Sequence, residues 1–128
     1  MCKHCNESIP SHKPPQTLYC SPQCQRDNHD KEYRDLNPHP KLAAGTIGAI
    51  GEYRVILDLL AKGFDVFHAV SPSCSCDLAV LKNGKLFRIE VRTGHYVRGG
   101  KYYYTPSFRT DIMAIVLSDK IAYHPPLE

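Results

Sequence analysis

Four cysteines near the amino end constrain this chain more than any other feature. Cys2 and Cys5 form a C-x2-C pair, fourteen residues follow, and Cys20 and Cys24 form a C-x3-C pair. Two thiolates two or three residues apart can reach one ion from a tight turn, and a second pair closes a tetrahedron. The spacing therefore predicts that Cys2, Cys5, Cys20 and Cys24 bind one zinc ion. Four thiolates leave no open coordination position, so the ion is expected to be structural. The alternative of two disulfides belongs to secreted chains. Met1 is followed directly by Cys2 and Lys3, with no apolar stretch behind them. A reducing cytoplasm is thus the expected compartment. His4 and His12 are alternative ligands, expected instead at the surface.

The segment that carries the cysteines, residues 1–36, is polar. Ser21-Pro22 reads as a helix start, because serine caps free amides and proline suits the first helical position. Residues 23–36 are helix-compatible, with Tyr33 and Leu36 as the apolar exceptions. Asp30 and Arg34 form a favourable i,i+4 pair. Such a helix buries little and needs the metal, or another part of the chain, to hold it. Cys24 falls on its first turn, where the helix dipole favours a thiolate. The run Cys20-Ser21-Pro22-Gln23-Cys24 resembles treble-clef zinc fingers, whose last ligand pair comes from a helix start.

Residues 37–44, with two prolines, read as a linker, and residues 45–128 as a second unit. Charged residues at 23% and hydrophobic residues at 42% mark a globular chain rather than a disordered one. No run approaches the roughly 18 apolar residues of a membrane helix. A helix is expected over 46–62, closed by Gly63 in a C′ position, with Val55, Ile56, Leu59 and Leu60 on its apolar face. Glu52 lies one turn earlier on the same stripe. Strands are expected over 65–70, 77–82, 85–92, 112–117 and 121–124. Asn83-Gly84 is a two-residue hairpin turn between the second and third. The order predicts an α+β fold, with a mixed sheet and one long helix packed on it.

Four residues of the second unit point to chemistry: Glu52, Asp77, Glu90 and Arg92. Glu90 and Arg92 share one face of their strand, and Ile89 and Val91 take the other. The hairpin sets the Asp77 strand beside that of Glu90. Two or three carboxylates are then expected to converge with a cation. Oxygen ligands of this kind suit Mg²⁺ or a similar hard ion, which can polarise a phosphoryl oxygen and activate water. Glu52 as a solvent-facing helix residue, and Asp77 and Glu90 as ordinary strand-end charges, are the plainer readings.

Gly51-Glu52, Cys76-Asp77-Leu78-Ala79-Val80 and Ile89-Glu90-Val91-Arg92-Thr93-Gly94 together resemble the PD-(D/E)xK nuclease superfamily, in its Holliday-junction-resolvase-like and homing-endonuclease-like branch. Asp111 to Val116, with Ile121 to Pro125, is similar to the closing strands of such domains. The resemblance spans residues 45–125. It implies a restriction-endonuclease-like fold and a DNA endonuclease dependent on Mg²⁺ or Mn²⁺, often acting as a homodimer. By position it implies Asp77 and Glu90 as metal ligands and Glu52 as the helix acid that assists metal binding. Arg92 stands where the family usually has lysine. Arginine supplies charge and hydrogen bonds but is a poor base. Three outcomes stay open: water activated by the metal without a base, help from Lys85 or Lys101, or a slow or inactive site. In the last case the chain is a non-catalytic nucleic-acid-binding protein on a degenerate scaffold; a zinc-stabilised adaptor is a further reading.

A net charge of +3 permits nucleic-acid binding without requiring it. Arg88, Arg92, Arg98, Lys101 and Arg109 fall within 22 residues. Arg98, Lys101 and Arg109, with Tyr102 and Tyr104, are expected to contact DNA, cations on phosphates and rings on bases. Strand alternation requires that at least one of the three consecutive tyrosines be structural, with Tyr103 the expected one. Residues 94–110 read as a loop or added hairpin in place of the usual crossover helix. Cys74 and Cys76 read as reduced thiols in a loop; a zinc bridged between two copies is the lesser alternative.

Overall fold

The structure is a computed structural model, and it describes every residue except His39, Pro40, Phe108 and Glu128. The chain divides into two compact units, Met1–Pro38 and His39–Glu128. Two residues of the expected linker, His39 and Pro40, lie outside the described part.

The first unit is built on α1 (Pro22–Leu36). Ser21 is its N-cap, and its hydroxyl accepts from the Cys24 amide at 3.1 Å. Pro22 occupies the first turn, where its missing N–H costs nothing. Cys2 is the only buried hydrophobic residue described in this unit. Asn28, also buried, donates to Tyr19 Oη at 3.1 Å and to Glu32 Oε1 at 3.0 Å, and Lys3 reaches the same glutamate at 3.2 Å. A unit with polar contacts and almost no apolar core cannot rest on the hydrophobic effect.

The second unit holds α2 (Ala44–Ala61), β1 (Asp65–His68), β2 (Leu78–Lys82), β3 (Lys85–Thr93), β4 (His95–Tyr96), β5 (Tyr102–Tyr103), β6 (Ile112–Val116) and β7 (Ile121–His124). The larger sheet has the order β1-β2-β3-β6-β7. Its β3–β6 pair is parallel and the other three pairs are antiparallel, so the sheet is mixed. β4 and β5 form a separate antiparallel ribbon. The expected α+β class and mixed sheet are therefore present. Asn83 and Gly84 both have positive φ, 53° and 76°, the two-residue turn that Asn-Gly favours. Gly63, at φ 86°, follows the Lys62 C-cap.

α2 packs on one face of the sheet. Gly51, Val55 and Leu59 form its buried stripe, meeting Leu78, Val80, Ile89, Ile112, Ala114 and Val116. Leu60, expected on the apolar face, is 52% exposed. The helix is rotated so that the i, i+4, i+8 row through Gly51 is central, and Leu60 falls past its edge. On the opposite face Met113, Ile115 and Leu117 are covered by Tyr96, Tyr102 and Tyr104 from the ribbon and the segment after it. Gly94 makes that fold-over possible. A Cβ there would stand 2.5 Å from Ile115 Cγ2 and 2.8 Å from Leu117 Cδ2, so a side chain would push the ribbon off the sheet.

Tyr123 on β7 donates to Asp58 Oδ2 on α2 at 2.5 Å, and Lys62 meets the same oxygen at 2.6 Å. Burial raises the Asp58 pKa, but the hydrogen bonds from Lys62 and Tyr123 outweigh it and hold it below its ordinary value of 3.8. Tyr123→Phe is expected to cost about 1–2 kcal/mol at neutral pH. Because the folded pKa is depressed, this stabilisation is full above about pH 4 and is lost as pH falls through the lower folded value. Urea unfolding at pH 7 and again at strongly acid pH checks it. A destabilisation that does not shrink in acid would assign the effect to packing instead of charge.

Candidate functional site

The first candidate site is the cysteine cluster. Around it, the Cys2 amide donates to Glu7 O at 2.7 Å and the Asn6 amide to Cys2 O at 2.9 Å. Asn6 takes φ 62°, so the chain turns back directly after Cys5. The Lys3 amide bonds Leu18 O at 2.8 Å and brings the second pair alongside. All four thiol sulfurs then lie within 4.8 Å of one another. Cys5 and Cys20 stand 3.6 Å apart, and Cys20 and Cys24 3.5 Å. A zinc ion with bonds of about 2.3 Å to four sulfurs sets them about 3.8 Å apart, so the donor set fits. None of the six cysteines is in a disulfide. Burial raises the Cys2 thiol, but hydrogen bonds from the Cys5, Cys20 and His4 amides lower it further, to about 6. Cys2 is thus held as the thiolate that zinc requires, whereas Cys5, Cys20 and Cys24 are raised above the ordinary 9.0 and would release their protons on binding a metal. The cluster can thus hold a zinc ion. His4 and His12 are exposed and stand outside it.

The second candidate site lies where β2 begins. The Asp77 amide donates to Ile89 O at 3.2 Å, extending the ladder by one bond. The Asp77 side chain then accepts from the Val91 amide at 2.9 Å, in the place of a further strand residue. This hydrogen bond fixes the carboxylate beside the end of β3. Burial raises the Asp77 pKa most; the Val91 amide opposes it, the Glu52 and Glu90 carboxylates raise it, and Arg92 lowers it. The four expected residues therefore act on one another electrostatically. Glu90 and Arg92, two residues apart on β3, form an ion pair, with 17% and 41% of their side chains exposed. Among the described residues, Arg92 Nε is the one buried side-chain nitrogen or oxygen without a hydrogen-bond partner. The acids do not converge as the cysteines do. Among the described residues, only the cysteines bring three or more ligand atoms together. The second site thus offers at most a pair of carboxylates to a cation.

His68 was not among the residues expected here. It ends β1 opposite Leu78, and its Nε2 meets Glu52 Oε2 at 3.2 Å. Its ring lies edge-on to Tyr53, with centroids 5.8 Å apart. The Ala69 amide bonds Asp77 O at 3.1 Å, closing the 69–77 loop. A histidine inside the strand expected over 65–70, with Asp77 starting the next, was the available signal. Cys74 is exposed and Cys76 half-buried in that loop, and neither joins a metal group among the described residues.

Of the residues expected to meet DNA, Arg98, Lys101 and Arg109 are exposed. Tyr102 and Tyr104 are half-buried against Met113, Ile115 and Leu117. Tyr103, expected to pack inward, is 54% exposed. The alternation was correct and its parity reversed.

Two outcomes follow from this geometry. Chelation of the full chain is expected to remove the 15-residue helix α1 and spare the 18-residue α2, so far-UV circular dichroism should lose nearly half its helical signal. Loss of all the helix, or none, would count against the metal as the support of the first unit alone. Asp77→Asn removes a half-buried charge from beside Glu52 and Glu90 and keeps an oxygen for the Val91 amide. It should melt higher than wild type in divalent-free buffer at pH 7. A lower melting temperature would show that repulsion is not the dominant cost there.

No known protein-family profile matches the chain, and no curated protein matches it in sequence. Among solved structures its fold is similar to that of the bacterial homing endonuclease I-Ssp6803I, with a TM-score of 0.52 and 17% sequence identity. The match covers 61% of this chain and 64% of that one, so the chain spans less than two thirds of that protein's length. At this identity the likeness is one of fold.

Proposed function

We propose that the chain is a metal-dependent DNA endonuclease of the PD-(D/E)xK, restriction-endonuclease-like type. Its nuclease-like domain would be residues 45–128, and the four-cysteine zinc module of residues 1–36 would assist DNA binding. The observation that carries the reading is Asp77. A carboxylate that is half-buried, fixed by the Val91 amide and raised by burial and by two neighbouring acids gains most from a divalent cation. The fold-level likeness to a homing endonuclease supports the same class.

Asp77 and Glu90 would hold Mg²⁺ or Mn²⁺, with Glu52 adding negative charge from α2. Such an ion supplies Lewis-acid activation of the scissile phosphodiester. Arg92 would do what its chemistry allows. Its partly exposed guanidinium can donate to a phosphate oxygen and stabilise charge there. It is no general base. A homodimer would place two such sites on two strands.

The Glu90–Arg92 ion pair favours one second reading. Arginine competes with a cation for Glu90, so the scaffold would bind nucleic acid without cutting it. Incubation of the full chain with supercoiled plasmid, branched DNA and single strands in Mg²⁺ or Mn²⁺ decides between them. The endonuclease is expected to nick or linearise at least one substrate. Glu90→Ala should lower that rate about a hundredfold or more, the scale of losing a charge-stabilising group, with binding kept. Equal cutting by Glu90→Ala would remove the site assignment. Arg92→Lys separates the readings further: gained cutting marks a scaffold disabled by arginine, and lost cutting marks an arginine adapted to its task. Chelators strip zinc as well, so rescue by Mg²⁺ alone must accompany any inhibition.

A further inference from the structure

We infer that the β4–β5 ribbon enters a groove of double-stranded DNA. This rests on the nucleic-acid part of the reading above and is independent of bond cleavage.

From Val91 to Thr110 the sequence has no acid and four cations, Arg92, Arg98, Lys101 and Arg109. The ribbon divides this run into an anchored side and an exposed tip. On the anchored side Tyr96, Tyr102 and Tyr104 cover Met113, Ile115 and Leu117. The Tyr96 hydroxyl bonds Asp119 at 2.6 Å, and the Tyr102 hydroxyl meets His124 Nε2 at 2.8 Å. The Tyr104 ring stacks on His124 at 14°. These contacts hold the base of the ribbon rigidly on the sheet.

At the tip the Val97 amide donates to Lys101 O at 2.8 Å. Arg98, Gly99, Gly100 and Lys101 are all exposed. Gly99 and Gly100 have φ 84° and 76°, conformations open to glycine and strained for other residues. Two cations thus flank two residues without a Cβ, and the backbone can come close to a phosphate-lined wall. On the outer side Tyr103 faces its cross-strand partner His95, with ring centroids 5.5 Å apart.

This shape selects among polyanions. The major groove of B-form DNA, about 12 Å wide, admits a two-stranded ribbon. The major groove of A-form RNA is too deep and narrow for one. Single strands are held by successive exposed aromatic platforms, and here Tyr102 and Tyr104 are committed to packing, which leaves Tyr103 as the exposed ring of the three tyrosines. The ribbon starts at His95, just beyond Glu90 and Arg92 on the same chain. A duplex held by the tip would therefore be gripped from the end of β3 that carries the acids.

The test uses the full chain and the double variant Arg98→Ala/Lys101→Ala, in divalent-free buffer. Fluorescence anisotropy measures binding to random-sequence duplex DNA, single-stranded DNA and duplex RNA across a range of NaCl concentrations. Wild type should bind duplex DNA tightest. The double variant should lose about tenfold or more on the duplex and flatten its log–log salt slope by about two. Tyr103→Ala and His95→Ala should alter the ranking of selected duplex sites while shifting random-duplex binding less than about threefold. An unchanged salt slope, or single strands or duplex RNA bound as tightly as duplex DNA, would overturn the inference. A normal slope effect in a protein that cuts nothing in Mg²⁺ would end the endonuclease reading and leave the ribbon standing.

Discussion

Every residue of β6 is buried, and the second unit is organised by that fact. A strand with apolar side chains on both faces must be covered on both. α2 covers Ile112, Ala114 and Val116. The ribbon and Tyr104 cover Met113, Ile115 and Leu117. The parallel pairing of β6 with β3 then fixes the register of the candidate site, because Glu90 pairs with Met113 and Arg92 with Ile115. Anything that moved the covering layers would move the acids.

The charge arrangement follows from the same architecture. α2 must lie against the sheet to bury Val55 and Leu59, and this carries Glu52 to the end of β1. The β2–β3 hairpin places Asp77 beside the end of β3, where its carboxylate takes a backbone amide as partner. Three acids brought near one another by packing repel, and the raised Asp77 pKa records this together with burial. Arg92 relieves part of it through Glu90. The Asp77 carboxylate thus keeps its charge at a cost set by the packing around it.

The two units solve the problem of stability differently. Residues 39–128 bury an apolar core on both faces of a sheet. Residues 1–38 bury one cysteine and a few polar groups, and their sulfurs stand at spacings that suit zinc. A metal held by those sulfurs would replace the missing core in a segment too short and polar to build one.

Much of this was legible in the sequence, because it rests on local chemistry. Cysteine spacing pointed to the four-cysteine cluster that can hold a metal. Ser21-Pro22, Gly63 and Asn83-Gly84 marked a helix start, a helix end and a hairpin through backbone preferences that need no partner. The strand bounds came within a few residues for the same reason. Glu90 and Arg92 had to share a face, since strand side chains alternate. What alternation cannot supply is which face is the inner one. The tertiary structure alone decided that Tyr102 and Tyr104 pack and Tyr103 does not, because the answer depends on Gly94 letting the ribbon fold onto Ile115 and Leu117. It alone turned Leu60 outward and set His68 against Glu52. Periodicity belongs to one segment, whereas the choice of partner belongs to the packing of several.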